Sequence, residues 1–179
     1  MRASTPTTRN RRVAGQAGFT LIELMVALSV LGVLMAIAVP TMSSHMALQE
    51  IRGSAQQVVD VLREARDSAM NEGQPRYVLF DPGPPAGYEI WRYDGSAWVQ
   101  EEEETLHASV TFSDGDVTFP ALADRPETGA SVPENAAYFD TRGRYPFGSA
   151  ASYTLTLHGR LGKTEVLTLY SQTGQVTWG

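Results

Sequence analysis

Between residues 19 and 39 the chain reads FTLIELMVALSVLGVLMAIAV, 21 positions with a single charge, Glu23. The run is apolar on every side rather than striped. At about 1.5 Å per residue it predicts a helix roughly 31 Å long, close to the thickness of a bilayer's hydrocarbon layer. Pro40 comes next, and a proline inside such a helix kinks it more readily than it ends it. From residue 42 to 72 the pattern changes but the element continues. Met46, Leu48, Ile51, Ala55, Val58, Val59, Leu62, Ala65, Ala69 and Met70 recur at spacings of three and four, an amphipathic stripe. Arg63, Glu64, Arg66 and Asp67 occupy the other faces. Gly73 and Pro75 are a stop signal. The pattern predicts one helix from about 19 to 72, with the stripe packed on the C-terminal part of the chain. Met42, Met46 and Met70 read as core residues rather than metal ligands.

After Gly73 the texture becomes short runs broken by turns. Strands are predicted at Arg76–Phe80 and Tyr88–Tyr93, flanking a Pro- and Gly-rich loop over 81–87. Asp94-Gly95 is a hairpin signal before Trp98. Val110–Phe112 and Val117–Phe119 flank Ser113-Asp114-Gly115-Asp116, and residues 120–135 read as a loop. Ala136–Phe139, Tyr153–His158, Thr164–Tyr170 and Gln175–Trp178 are the closing strands. This spacing predicts an antiparallel sheet or sandwich. The expected class is α+β: a long N-terminal helix packed on a β-rich body.

Charge sharpens the division. Residues 1–18 hold Arg2, Arg9, Arg11 and Arg12 and no acid, and the rest of the chain carries a net charge of -10. The expected segments are a basic head over 1–18, the apolar helix over 19–39, its amphipathic continuation over 40–72 and the body over 73–179. A basic head before an apolar span places the N-terminus in the cytoplasm and the body across the membrane. The acidic body argues against a nucleic-acid-binding domain. The chain has no cysteine, which excludes disulfides, thiolate metal sites and cysteine nucleophiles.

A signal anchor or a secretory signal peptide accounts for the hydropathy but not for Glu23. A carboxylate in hydrocarbon costs about 2.5–3.5 kcal/mol on insertion scales and marks function. It needs a cationic partner, and no Lys or Arg lies between Arg12 and Glu23 or in the next 16 residues. A cut between Gly18 and Phe19 supplies one, the new α-amino group.

Gly18-Phe19-Thr20-Leu21-Ile22-Glu23, after a basic leader and before an unbroken apolar helix, resembles the signal of the type IV pilins and pseudopilins. The resemblance implies that a prepilin peptidase cuts after Gly18 and that the new N-terminal Phe19 is methylated. It places the family's helix glutamate at Glu23 and its helix proline at Pro40. It also implies a pilin-like fold, a single pass through the inner membrane, and assembly with other pilins through an inner-membrane platform. In a filament, Glu23 would neutralise the ammonium of a neighbouring Phe19 and fix the register between subunits. The final third, Phe139-Asp140-Thr141-Arg142-Gly143-Arg144 and then Tyr153–Leu157 and Val166–Tyr170, looks like the C-terminal domain of the GspH/FimT pseudopilins. That implies a minor pseudopilin of type II secretion, or alternatively a minor pilin of a type IV pilus or DNA-uptake machine.

Arg142 and Arg144 flank Gly143 as candidate contacts to phosphate or DNA. The plainer reading is a turn with solvated or acid-paired arginines. FimT-like DNA binders carry a second Gly-Arg-x-Arg motif, and the matching positions here, Gly174-Gln175-Val176-Thr177, lack both arginines. Phosphate neutralisation supplies most non-specific affinity, so DNA is not an expected partner. Glu101–Glu104 and the pair Asp114 and Asp116 could attract a hard cation, but neither has the spacing of a defined calcium loop. The four glutamates read as a solvated, self-repelling loop. His45, His107 and His158 are scattered without a catalytic or metal-binding pattern. No catalytic residue, cofactor or metal is expected, and the reading is a structural protein rather than an enzyme.

Overall fold

The computed structural model describes residues 18–121, 128–145 and 150–178. Two compact units divide the chain, one ending at Thr41 and one running from Met42. One helix, α1 (Leu21–Glu72), runs through Pro40 and spans both. The basic head before Gly18 lies outside the described residues.

In the second unit the 3.6-residue stripe is the core face of α1. Ala47, Ile51, Ala55, Val58, Val59, Leu62, Ala65 and Ala69 are buried, and all but the first of them pack with side chains from the strands. The small residues on this face let the strands approach closely. The methionines were expected in the core, but Met42 is 67% exposed, Met46 49% and Met70 37%. They lie at the margin of the stripe, where an unbranched side chain tolerates water. The helix ends at Gly73, whose φ of +65° supplies the left-handed residue after the last turn.

Among the described residues seven strands come after the helix: β1 (Arg76–Asp81), β2 (Gly87–Tyr93), β3 (Trp98–Thr105), β4 (Ala136–Phe139), β5 (Ser152–His158), β6 (Thr164–Tyr170) and β7 (Val176–Trp178). They form two antiparallel sheets, one ordered β3-β2-β1-β4 and the other β5-β6-β7. The β2–β3 turn is built on Asp94. Its Oδ1 accepts the N–H groups of Ser96 and Ala97 at 2.8 and 2.9 Å. These bonds hold the Asp94 carboxyl down at about 2. In β5, Tyr153, Leu155 and Leu157 face the core while Thr154 and Thr156 face outward, the period-2 pattern of a half-buried strand.

Two expectations are corrected. Val110–Phe112 and Val117–Phe119 are not strands. Asp114–Asp116 forms a single 3-10 turn between them. Each flank makes one bridge to the outer side of β5, Thr111 to His158 and Val117 to Leu155. The Ser113–Asp116 turn interrupts what would otherwise be a fourth strand of that sheet. Glu101–Glu104 is not a loop but the middle of β3, paired with β2. Like charges in series do not prevent a strand when alternate side chains point to opposite faces. Here they also find partners. Glu101 is bound by Arg76 at 3.0 Å and Arg92 at 2.7 Å. Glu104 accepts the Tyr88 hydroxyl and the Gln57 amide, each at 2.8 Å.

Glu102 has the opposite environment. Partial burial, then the carboxylates of Glu104 and Glu64, push its carboxyl above the usual carboxylate range. A carboxyl raised on folding destabilises the fold once the pH exceeds its unfolded value. Glu102→Gln should therefore raise the melting temperature at pH 7 by about 1 °C, with the gain vanishing near pH 3. Thermal unfolding at the two pH values checks this.

Candidate processing and assembly segment

The start of α1 is set by Thr20. Its Oγ1 accepts the Glu23 N–H at 3.3 Å, and its carbonyl accepts the Leu24 N–H at 3.2 Å. A threonine in this place satisfies donors that the first helical turn leaves open. Thr20-x-x-Glu23 is the sequence signature of a capping box, a local signal that hydropathy alone does not register. Glu23 stands in the first turn of the helix, where the positive end of the helix dipole favours a carboxylate.

Gly18, Phe19 and Thr20 precede the helix and are exposed, Phe19 at 85%. The Gly18–Phe19 bond therefore lies outside helical hydrogen bonding. Hydrolysis there would leave an ammonium on Phe19, four residues before Glu23. A negative and a positive group would then sit at one end of an apolar rod. Two unpaired charges at that end have reason to find opposite charges on a neighbouring rod.

Downstream the segment satisfies its own polar groups. The Ser29 hydroxyl donates to the Met25 carbonyl at 2.8 Å, and the Thr41 hydroxyl to the Ile37 carbonyl at 3.0 Å. Bonds of this kind suit a helix in apolar surroundings. By length and composition the helix can cross a membrane, and none of its most apolar stretch is buried inside the protein. Gly32 has no atom outside its own helix within 4 Å of an added Cβ, so its side of the helix is open to close approach by another helix. Pro40 lies within the same helix. Gly18, Phe19, Glu23 and Pro40 thus belong to one continuous segment.

Arg142 and Arg144 belong to the other unit, in the turn after β4. Asp140 organises that turn. Fully buried, it accepts the backbone N–H groups of Arg142 and Arg144 through Oδ1 at 2.9 and 2.8 Å. Its Oδ2 accepts Nε and Nη2 of Arg144 at 3.1 and 2.9 Å. The Arg144 guanidinium is therefore occupied by an internal carboxylate, while Arg142 is exposed. Gly143, between them, has a φ of +69°. Its carbonyl accepts Arg66 Nε at 3.1 Å, which ties the turn to α1. The roles of Asp140 and Arg66 have no signal in the sequence. An acid two residues before an arginine looks like an ordinary surface pair until its burial is known.

Several other polar residues pair within the body. Asp116 Oδ1 lies 3.0 Å from His158 Nε2, and Asp114 accepts the Asn135 amide at 2.8 Å. His107 contacts the Ser109 hydroxyl, which donates to Glu50, and Glu50 also binds Arg160. Among the described residues, no group of three His, Asp or Glu side chains could hold a metal ion.

Residues 14–39 match the model of the prokaryotic N-terminal methylation motif. Two fimbrial proteins of Pseudomonas aeruginosa are each 39% identical to this chain over 59 residues, which is 33% of this chain. The matched part spans 38% of the length of these relatives. The minor pseudopilin EpsH from the type 2 secretion system of Vibrio cholerae superposes with a TM-score of 0.50 at 14% identity. That superposition covers 73% of this chain and 96% of EpsH, so it is a likeness of fold. Residues 14–39 thus carry a prepilin-type N-terminal methylation motif, and the long helix with the antiparallel sheets after it has a fold like that of the minor pseudopilin EpsH.

Proposed function

We propose that this protein is a minor pseudopilin of a type II secretion system, a structural subunit and not an enzyme. It is made as a precursor with the leader 1–18. A prepilin peptidase hydrolyses the Gly18–Phe19 bond, and the new Phe19 amine is methylated. The apolar part of α1 then anchors the chain in the inner membrane, with its N-terminus cytoplasmic and its body on the other side. From there the chain passes to an assembly platform and joins other pilins or pseudopilins. One observation carries this reading: a prepilin-type motif covers an exposed, unbroken apolar helix, and a pseudopilin-like body comes after it.

The physics supports each step. The scissile bond precedes the cap at Thr20 and so needs no helix to be unwound before cleavage. The helix exposes too much apolar surface to remain in water, so lipid or the helices of other subunits must cover it. Glu23 and the Phe19 ammonium lower each other's cost only where they meet.

The identity to fimbrial proteins over 59 residues favours a second reading, a minor pilin of a type IV pilus or DNA-uptake machine. In that reading Arg142 is the exposed cation of the body's turn, since Arg144 is held by Asp140. Chemical crosslinking in native membranes, with mass spectrometry of the captured neighbours, separates the two. Secretion pseudopilins and their platform are the expected neighbours. Pilus subunits or DNA-uptake proteins in their place would replace the first reading with the second. The same sample should show a mature N-terminus at Phe19, about 14 Da heavier than the unmodified residue, the mass of one added CH₂.

A further inference from the structure

β3 is an outer strand of the four-stranded sheet, as β4 is at its other edge, and β7 is an outer strand of the three-stranded one. Their surroundings are oppositely charged. On β3, Glu101 and Glu104 have internal partners. Among the described residues, no ion pair involves Glu102, Glu103 or Glu64. Glu102 is also repelled by Glu104 and Glu64. Like charges held together without a counter-charge are unfavourable in the isolated subunit, and an incoming cation relieves that.

Beside β7 lies a notch of about 310 Å³, lined by Arg63, Arg66 and Asp67 of α1 and by Gly174 to Thr177 of the chain entering β7. Arg63 is half exposed, and among the described residues its one ion pair is a 3.8 Å contact with the equally exposed Asp60. Arg66 gives its Nε to the Gly143 carbonyl and lies 3.7 Å from Asp67. The notch therefore presents two guanidinium groups against one carboxylate, on a body whose charge is otherwise strongly negative.

We propose that the acidic outer strand β3 of one copy docks against the arginine notch beside β7 of a second copy. The proposal rests on the reading of the chain as an assembling subunit. Guanidinium groups take carboxylates in planar, paired hydrogen bonds, so Arg63 and Arg66 suit Glu102, which lies on the opposite face of β3 from Glu103. The contact joins two different surfaces of the same chain. It is therefore head-to-tail and leaves one free surface at each end, the geometry of an open helical assembly rather than a closed dimer. Exposed ion pairs are individually weak, so the contact sets orientation and register while the apolar helices drive association.

The absence of native cysteine makes the test clean. Two differently tagged full-length copies are co-expressed, one with Glu103→Cys and one with Gln175→Cys, and membranes are treated with a short thiol crosslinker. The expected result is an adduct carrying both tags. Its yield should fall about five-fold when the first copy also carries Glu102→Lys. Adding Arg63→Glu to the second copy should restore it. Glu102→Lys relieves repulsion within the subunit, so lost yield would not reflect misfolding. A control pair bearing Ala27→Cys in both copies reports helix-to-helix assembly. A control adduct without the β3–β7 adduct overturns the docking contact and leaves assembly standing. Loss of both overturns the assembly reading as well. An adduct insensitive to the charge reversals, or one formed only with a different pilin-like subunit, also overturns the contact between two copies.

Discussion

Glu23→Ala should yield a protein that is cleaved normally at Gly18–Phe19 yet fails to enter filaments. The carboxylate lies in the first turn of α1, four residues after the amine that cleavage would create. In the membrane it is expensive on its own, by about 2.5–3.5 kcal/mol on insertion scales. An ion pair with the amine of a neighbouring subunit would offset that cost, and at one axial offset, so it would select register as well as add attraction. Removing the carboxylate would then strand the neighbour's ammonium in an apolar environment. The expected loss of incorporation is at least ten-fold, which corresponds to about 1.4 kcal/mol or more. Glu23→Gln separates this role from the local one. A helix cap or dipole contribution is worth only about 0.3–1 kcal/mol at an exposed site, and glutamine can still accept a backbone hydrogen bond. If Glu23 acts through charge, Gln fails as Ala does. If it acts only by ordering the first turn, Gln restores incorporation. Mass spectrometry of the membrane fraction gives cleavage, and sheared filament fractions give incorporation. Normal incorporation of both variants would remove Glu23 from the assembly mechanism.

Much of this segment is legible in its residues because its physics is local. An apolar run with one charge states its own environment, and a glycine before an aromatic residue with a glutamate close behind is a compact pattern. The helix stripe from Ile51 to Ala69 is equally legible, since its core face depends on spacing alone. The body is less so. Strands with alternating or wholly apolar positions, such as β5 and β4, lie close to their expected bounds. β3 escapes because its glutamates look like a solvated loop, and their neutralisation by Arg76 and Arg92 is a long-range fact. The flanks of Asp114 are overread because β-rich composition does not show whether a partner edge is reachable. Periodicity puts Met46 and Met70 in the core, whereas their positions at the edge of the stripe depend on the width of the sheets they meet. The candidate site divides along the same line. Gly18, Phe19 and Glu23 are close together in sequence. The state of Arg144 depends on the burial of Asp140, which no spacing reveals.

The largest stability effect in the body is expected from Gly174→Ala. Gly174 adopts a φ of +62°, a left-handed conformation that costs a residue with a Cβ about 1–2 kcal/mol. The added methyl would also strike the Gly143 carbonyl, which is backbone, and approach Arg66 Nε at 3.0 Å. The carbonyl it strikes is the one that accepts the Arg66 hydrogen bond. Relief requires the turn after β4 to move away from the chain entering β7, and that turn is fixed by buried Asp140. Overpacking against atoms that cannot yield costs about 1–3 kcal/mol. Conformation and crowding together should cost about 3 kcal/mol, lowering the melting temperature by roughly 10 °C for a body of this size. Gly73→Ala is the matched control. Its φ of +65° is nearly the same, but an added Cβ there meets nothing within 4 Å. It should therefore lose only the conformational part, about 1 kcal/mol. Thermal unfolding of the full chain in detergent, monitored through the near-ultraviolet signal of its aromatic side chains, measures both. Equal losses at the two positions would mean that the turn after β4 yields freely. The close approach of Gly143 and Gly174 would then not be what joins the turn after β4 to the entry of β7.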